Sequence, residues 1–186
     1  MEIRRIFPLG RSTSEGKNQL NAVLYPGDET DSFEKTFRTW HDEQHLMAFF
    51  EANQWDMPSH WDFNFFTNKV EMERESFLDL LLNRAVSERL PLDLLFKPLR
   101  NEEYVERELS LNKARPEIRR SILRLYALRI DMNCFLITGG AIKVTARMQE
   151  AQHTNLELIR LNQARDYLAE QGITDVYLFQ ASFNFR

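Results

Sequence analysis

The chain has 186 residues, 43% of them hydrophobic and 14 of them phenylalanine, so it can bury an ordinary core and we expect a single domain. Its one cysteine, Cys134, excludes an internal disulfide and favours a reducing, cytoplasmic location. No apolar run is long enough for a signal peptide or a bilayer span, so we expect a soluble protein with no membrane partner.

The net charge of −4 hides an uneven distribution. Residues 28–96 hold fifteen acidic and six basic side chains, whereas residues 97–148 hold six acidic and eleven basic ones. Such asymmetry is typical of a surface that faces an anion. Two ordinary solvated faces would also account for it.

Residues 1–95 are predicted to form a β-hairpin followed by helices. Glu2–Pro8 and Gln19–Tyr25 are rich in strand formers and flank a polar loop with glycine and serine. Asp31 and Glu34 have the spacing of a capping box, which predicts a helix start. The clearest helical periodicity covers Asn68–Arg89.

Residues 96–172 are predicted to form an antiparallel meander. Its strands are Ile122–Ile130, Cys134–Thr138 and Ala141–Thr145, and Gly139-Gly140 is interpreted as the tight turn between the last two. The middle strand is apolar on both faces, because Cys134 and Leu136 point one way and the residues between them point the other. The closing helix would cover one face, and either the acidic helical half or a partner protein would cover the other.

A closing helix is predicted after the meander. Thr154 and Glu157 have capping-box spacing, and Gly172 marks the helix end. Residues 173–186 carry four aromatic side chains and are expected to pack against the rest of the chain. The predicted fold class is α+β.

Metal and cofactor chemistry finds no support in the sequence, so we predict neither a metal nor a cofactor. His41 and His45 have a helical ligand spacing, but no third ligand follows in a known pattern. Cys134 lies in an apolar strand, which favours an inert buried thiol.

The candidate site residues are cations and proton-transfer groups around the meander, namely Arg124, Tyr126, Arg129, Lys143, Arg147 and His153. The cations could hold a phosphate and stabilise charge that develops on it. Tyr126 or His153 could transfer a proton. Each residue also has a structural interpretation: the arginines as strand-surface residues, Tyr126 as a core residue, and His153 as a polar residue before a helix cap.

Four segments resemble the RelE/HigB superfamily of bacterial toxins, within residues 96–171. They are Phe96-Lys-Pro-Leu, Leu123-Arg-Leu-Tyr-Ala-Leu-Arg-Ile, Cys134-Phe-Leu-Ile-Thr-Gly-Gly-Ala-Ile-Lys143, and His153-Thr154 leading into a helix. The I-T-G-G-A-I-K core is also similar to a family of longer bacterial proteins that are distant members. The resemblance implies a RelE-like sheet with a closing helix.

The same resemblance implies an activity and partners. It implies an endoribonuclease that cuts mRNA at the ribosome, with a 2′-hydroxyl attacking the adjacent phosphate, and an antitoxin that covers the site. Arg124 and Arg129 would correspond to the arginines of the first meander strand, and Lys143 and Arg147 to the cations beyond the third. Two alternatives stay open: a non-catalytic protein-interaction module of the same fold, and a small-molecule pocket between the Phe-rich helices and the sheet. The oligomeric state and the RNA sequence preference are not predicted.

Overall fold

A computed structural model describes residues 1–7, 18–86, 90–99, 109–118, 120–144 and 152–183. The helices are α1 (Ser32–Thr39), α2 (Glu43–Asn53), α3 (Phe63–Leu78), α4 (Leu92–Leu95), α5 (Gln152–Glu170) and α6 (Val176–Ser182). The strands are β1 (Glu2–Phe7), β2 (Gln19–Leu24), β3 (Lys97–Pro98), β4 (Ser110–Ala114), β5 (Leu123–Asp131) and β6 (Cys134–Ile142). The described chain is therefore α+β, as predicted. None of its helices has the length and hydropathy needed to cross a bilayer.

The described strands form one mixed sheet in the order β1-β2-β6-β5-β4-β3. The antiparallel pairing of β1 with β2 confirms the N-terminal hairpin, and β4, β5 and β6 form an antiparallel meander. Strand β6 also runs parallel to β2, from Gln19 opposite Cys134 to Ala22 opposite Ile137. This parallel pairing joins the hairpin to the meander in a single sheet.

Both faces of the sheet are covered by the chain itself. On one face, Phe135 and Ile137 belong to a core with Phe37 and Trp40 of α1 and with side chains of α3. On the other face, Cys134 and Leu136 pack with α5 and α6. The apolar character of both faces of β6 follows from this burial, so no partner protein is needed to explain it.

Gly139 and Gly140 lie inside β6, so the predicted turn at this position is wrong. Gly139 pairs with Tyr126 and Gly140 with Leu125. A Cβ atom on Gly140 would lie 2.5 Å from Thr36 Cγ2 and 2.8 Å from Trp40 Cζ2, and one on Gly139 would overlap the Glu157 carboxyl group. The glycines let α1 and α5 approach the strand closely from its two faces.

The ends of the meander also differ from the prediction. Strand β6 ends at Ile142, so the separate strand Ala141–Thr145 is wrong as far as the chain is described, and Thr145 lies outside the described residues. Helix α5 begins at Gln152, so Thr154 lies within the helix and is not its cap. Glu157 is buried against the sheet and takes no part in a helix start.

Helix α3 is tied to the start of β5 by a buried carboxylate. Glu73 accepts backbone N–H groups of Ile122 at 2.8 Å and Leu123 at 2.8 Å, and its other oxygen lies 2.8 Å from Lys69 Nζ. The helix begins five residues before the predicted Asn68, because the Asp62 side chain caps it by accepting the N–H of Phe65. Glu73 therefore stabilises the start of β5, where the candidate site residue Arg124 lies.

Two local predictions are confirmed. The Asp31 side chain accepts the N–H groups of Phe33 and Glu34 at the start of α1. In the tail, α6 packs on the sheet and Phe179 is fully buried.

Candidate functional site

A surface groove of about 780 Å³ runs along the edge of the sheet formed by β3 and β4 and past the adjacent ends of β5 and β6. We call it the cationic groove, since six of its lining residues are Lys97, Lys113, Arg115, Arg120, Arg124 and Lys143. The one carboxylate among the described lining residues is Glu117, which forms an ion pair with Arg84 at 2.6 Å. The groove therefore carries a net positive charge.

Strand pairing brings these cations together from distant parts of the sequence. Lys97 of β3 lies opposite Lys113 of β4, and Lys113 lies opposite Tyr126 of β5. Arg124 lies two residues before Tyr126 on the same strand face. Lys143 follows β6 directly, and its backbone N–H donates to the Ile122 carbonyl at 2.7 Å.

The mutual repulsion of the cations is visible in their pKa values. The pKa of Lys113 is lowered, first by burial and then by the positive charges of Lys143, Arg124 and Arg115. The pKa of Arg124 is also lowered, chiefly by burial. Holding several cations together in this way costs free energy, which an anion bound between them would recover.

Arg124 is held in place by the backbone beside it. Its Nη1 donates to the carbonyl oxygens of Ser121 at 2.9 Å and Leu123 at 2.6 Å. These bonds fix the guanidinium at the start of β5, so the side chain enters the groove with little freedom to rearrange.

Arg129 lies away from the groove, on the opposite face of β5. Its side chain is 8% exposed, and its Nε lies 2.9 Å from Asp93 Oδ1. Asp93 also accepts the backbone N–H of Asn133 at 2.7 Å. Since five residues of strand span roughly 16 Å, Arg129 and Arg124 do not contact one ligand atom together. Arg129 therefore has a structural role, because its ion pair with Asp93 holds α4 against the β5–β6 turn.

Tyr126 shares a strand face with Arg124 but is 1% exposed. Burial raises its pKa to about 12, so it is a neutral phenol at neutral pH. Arg147 lies outside the described residues, and His153 falls in α5 with its side chain outside them. Of the six predicted site residues, the structure brings Arg124 and Lys143 into one groove.

A second concave site, which we call the carboxyl cavity, lies between α1 and α5 at the end of β6 and has a volume of about 250 Å³. Its lining includes Tyr25, Asp28, Lys35, Trp40, His45, Phe49, Thr138–Ile142, Glu157 and Arg160. Two ion pairs hold its walls: Lys35 with Asp28 at 2.7 Å, and Arg160 with one oxygen of Glu157. The Tyr25 hydroxyl donates to the Thr138 carbonyl at 2.9 Å.

Glu157 is the most perturbed carboxyl group of this cavity. It is 4% exposed, and burial raises its pKa to about 7 against the opposing effect of Arg160. Its Oε2 atom has no hydrogen-bond partner among the described residues. The spacing of Thr154 and Glu157 was interpreted as a capping box, so sequence reasoning missed Glu157 as a site residue, although a small-molecule pocket between the Phe-rich helices and the sheet was one of the alternatives. The signal that could have revealed it is an acidic residue on the apolar stripe of α5, four residues before Leu161.

Metal and thiol chemistry gain no geometric support from the described residues. They contain no group of three His, Cys, Asp or Glu side chains that could hold a metal ion. His41 contacts Glu71 at 3.3 Å. Cys134 is buried, and burial raises its thiol pKa to about 12, which keeps it protonated and unreactive.

No family model, curated protein or solved structure matches the chain.

Proposed function

We propose that the chain is an RNA-binding toxin of the RelE/HigB kind and that the cationic groove is its RNA-binding surface. The observation that supports the proposal is the convergence of six cations in one groove whose carboxylate is already paired. The groove gathers these cations although the chain as a whole has a net charge of −4. The groove suits a flexible polyanion, because its charges are spread from Lys97 of β3 across β4 and β5 to Lys143 and are not gathered at one point.

The chemistry we propose is cleavage by the RNA's own 2′-hydroxyl group. Arg124 and Lys143 would bind the phosphate under attack and stabilise its developing charge. Lys113, whose pKa is lowered by burial and by these same cations, is the described groove residue best suited to exchange a proton with the reacting oxygens. An antitoxin partner would neutralise the groove with acidic side chains.

Growth arrest on induced expression in bacteria tests this proposal. We expect wild type to stop growth and to produce new RNA ends in primer extension of cellular transcripts. Lys143→Ala and the double variant Arg115→Ala/Arg120→Ala should both relieve the arrest. The matched control is Arg38→Ala/Arg165→Ala, which removes two positive charges outside the groove, from the exposed Arg38 and the half-buried Arg165, and should still arrest growth.

The toxin function would be refuted by unimpaired growth with wild-type protein that is well expressed and folded. A second function would then be favoured: a protein-interaction module that binds through an exposed aromatic surface. The specific observation is Trp55, which is 91% exposed; later in the chain Phe65 is also exposed, and its ring lies 5.2 Å from that of Trp61. Trp55→Ala should then abolish capture of the partner.

A further inference from the structure

The carboxyl cavity lies where two parallel neighbouring strands part. Strands β2 and β6 pair through Ala22 and Ile137 and then separate. The helix that follows β2, α1, packs on one face of the sheet, and the helix that follows β6, α5, packs on the other. The cavity thus lies beyond the last β2–β6 pair and beside the final residues of β6. Open sheets bind ligands near such a position, where the connections of two parallel strands leave to opposite faces.

Beyond Ile137, no described strand pairs with the edge of β6 that faces away from β5. Thr138 has no register partner in β5, so it forms a β-bulge, and the carbonyls of Ile137 and Thr138 accept bonds from the Ser32 and Tyr25 hydroxyls. Because the Lys143 N–H faces β5, strand alternation directs the backbone groups of Gly140 and Ile142 away from β5. Both residues line the cavity, so it offers peptide donors and acceptors along one edge.

Glu157 supplies a polar group that needs a partner. Its Oε1 accepts from Arg160, while the buried Oε2 has no partner among the described residues. A buried polar atom without a hydrogen bond is unfavourable. Oε2 lies against Gly139, so a rotation of the carboxyl group towards the cavity would let a ligand N–H donate to it and be stabilised there. The neighbouring Lys35 and Asp28 form an ion pair with each other, so neither of them requires a charged group on the ligand.

The walls suit a flat ligand. Phe49 is half-buried on the side towards α2, and the Arg160 guanidinium lies 5.7 Å from the Tyr25 ring centre on the side towards α5. Trp40 also lines the cavity, but it is buried and stacks on Phe77, so its ring face is not available to a ligand. Aromatic rings and guanidinium planes are the surfaces on which bases stack. A volume of about 250 Å³ admits a small heterocycle and little more.

We propose that the carboxyl cavity binds a nucleobase, whose ring N–H or amino group donates to Oε2 of Glu157 while its edge meets the backbone of Gly140 and Ile142. The base belongs either to a free nucleoside or to an unpaired nucleotide of a bound RNA. The inference does not depend on the proposed toxin function, because the cavity shares none of its described lining residues with the cationic groove.

Titration of isotope-labelled protein with guanosine, adenosine, cytidine and uridine tests the inference by NMR. At least one nucleoside should shift the amide signals of Gly140 and Ile142 in a saturable way. Glu157→Gln should weaken that binding about tenfold or more, since it removes a charge-assisted hydrogen bond. The matched control is Glu170→Gln, at an exposed position of the same helix. This variant should bind the nucleoside as tightly as wild type.

Three outcomes would overturn the assignment. They are the absence of saturable shifts with all four nucleosides, shifts that Glu157→Gln leaves intact, and saturable binding of propylamine where no nucleoside binds.

Titration with a short single-stranded RNA distinguishes the two sources of the base. If an RNA base occupies the cavity, the RNA shifts the same amides, and Arg115→Ala/Arg120→Ala weakens its binding while leaving nucleoside binding unchanged. If the ligand is a free nucleoside, the RNA leaves these amides unshifted.

Discussion

The cationic groove and the carboxyl cavity adjoin at the end of β6, yet their charges are arranged in opposite ways. In the groove, like charges from five segments face a shared opening, and the pKa of Lys113 is lowered first by burial and then by the neighbouring positive charges. In the cavity, opposite charges pair with each other, and one buried carboxyl oxygen is left over. Ile142 lines the cavity, and the next residue, Lys143, lines the groove.

The difference teaches that proximity to charged residues does not define the ligand. Accumulated exposed charge of one sign attracts a polyanion over a distance of about 10 Å and is weakened by salt. A single buried polar atom selects a ligand by local hydrogen bonding and is sensitive to pH instead. The two sites should therefore respond to different variables, which the following predictions use.

The largest expected effect is a pH dependence of stability caused by Glu157. The pKa of this buried group is raised to about 7 in the folded protein from a reference value of 4.5, so the folded state binds more protons between these pH values. The free energy of unfolding should therefore fall as the pH rises from about 4.5 to about 7, by up to roughly 3 kcal/mol. Urea denaturation across this range should show the fall in wild type and lack it in Glu157→Gln. An equal fall in both proteins would contradict the burial of an unsatisfied carboxyl group in the cavity.

A smaller effect should separate Arg129 from the groove. Arg129→Ala breaks the ion pair with Asp93 and should lower the free energy of unfolding by about 2 kcal/mol, less than for a fully buried pair because Asp93 is partly exposed and keeps the Asn133 N–H. RNA affinity, measured by fluorescence anisotropy under conditions where the variant is folded, should stay within error of wild type. A marked loss of RNA affinity in a folded Arg129→Ala protein would contradict this prediction. It would show that the RNA-binding surface includes Arg129 and therefore both faces of β5.

The smallest effect concerns the wall of the carboxyl cavity. Tyr25→Phe removes the hydroxyl that donates to the Thr138 carbonyl at the β-bulge, and it should cost about 1 kcal/mol of stability. Thermal unfolding followed by circular dichroism measures this loss, and RNA affinity should not change. If the variant bound RNA as poorly as a groove variant, the cavity and the groove would have to be treated as one site.

Local signals in the sequence were sufficient for much of the fold. The hairpin, the cap at Asp31 and the burial of both faces of β6 could be read from polar loops, short spacings and alternation, because neighbouring residues determine these features. The Gly139-Gly140 pair could not be read in this way. Glycine permits both a tight turn and a close helix–strand approach, and only the positions of Thr36 and Glu157 distinguish the two.

The site was predictable only in part for the same reason. Arg124 and Lys143 were identified as cations near strand ends, but Lys97, Lys113, Arg115 and Arg120 join them through pairing between strands distant in sequence. Arg129 was grouped with them as a cation of the same meander strand, although strand alternation puts it on the other face of β5 from Arg124. Glu157 was missed because the spacing Thr154–Glu157 imitates a capping box, whereas α5 begins at Gln152.

The central claim is that the cationic groove binds RNA through its phosphates. The most direct test is the affinity for a short single-stranded RNA, measured by fluorescence anisotropy between about 50 and about 200 mM salt. Compared with wild type, Arg115→Ala/Arg120→Ala should bind at least about tenfold more weakly, and its slope of log K against log salt should be shallower by about 1.4, while Arg38→Ala/Arg165→Ala should match wild type. Equal affinities and slopes for all three proteins, or no RNA binding by folded wild type, would contradict the claim.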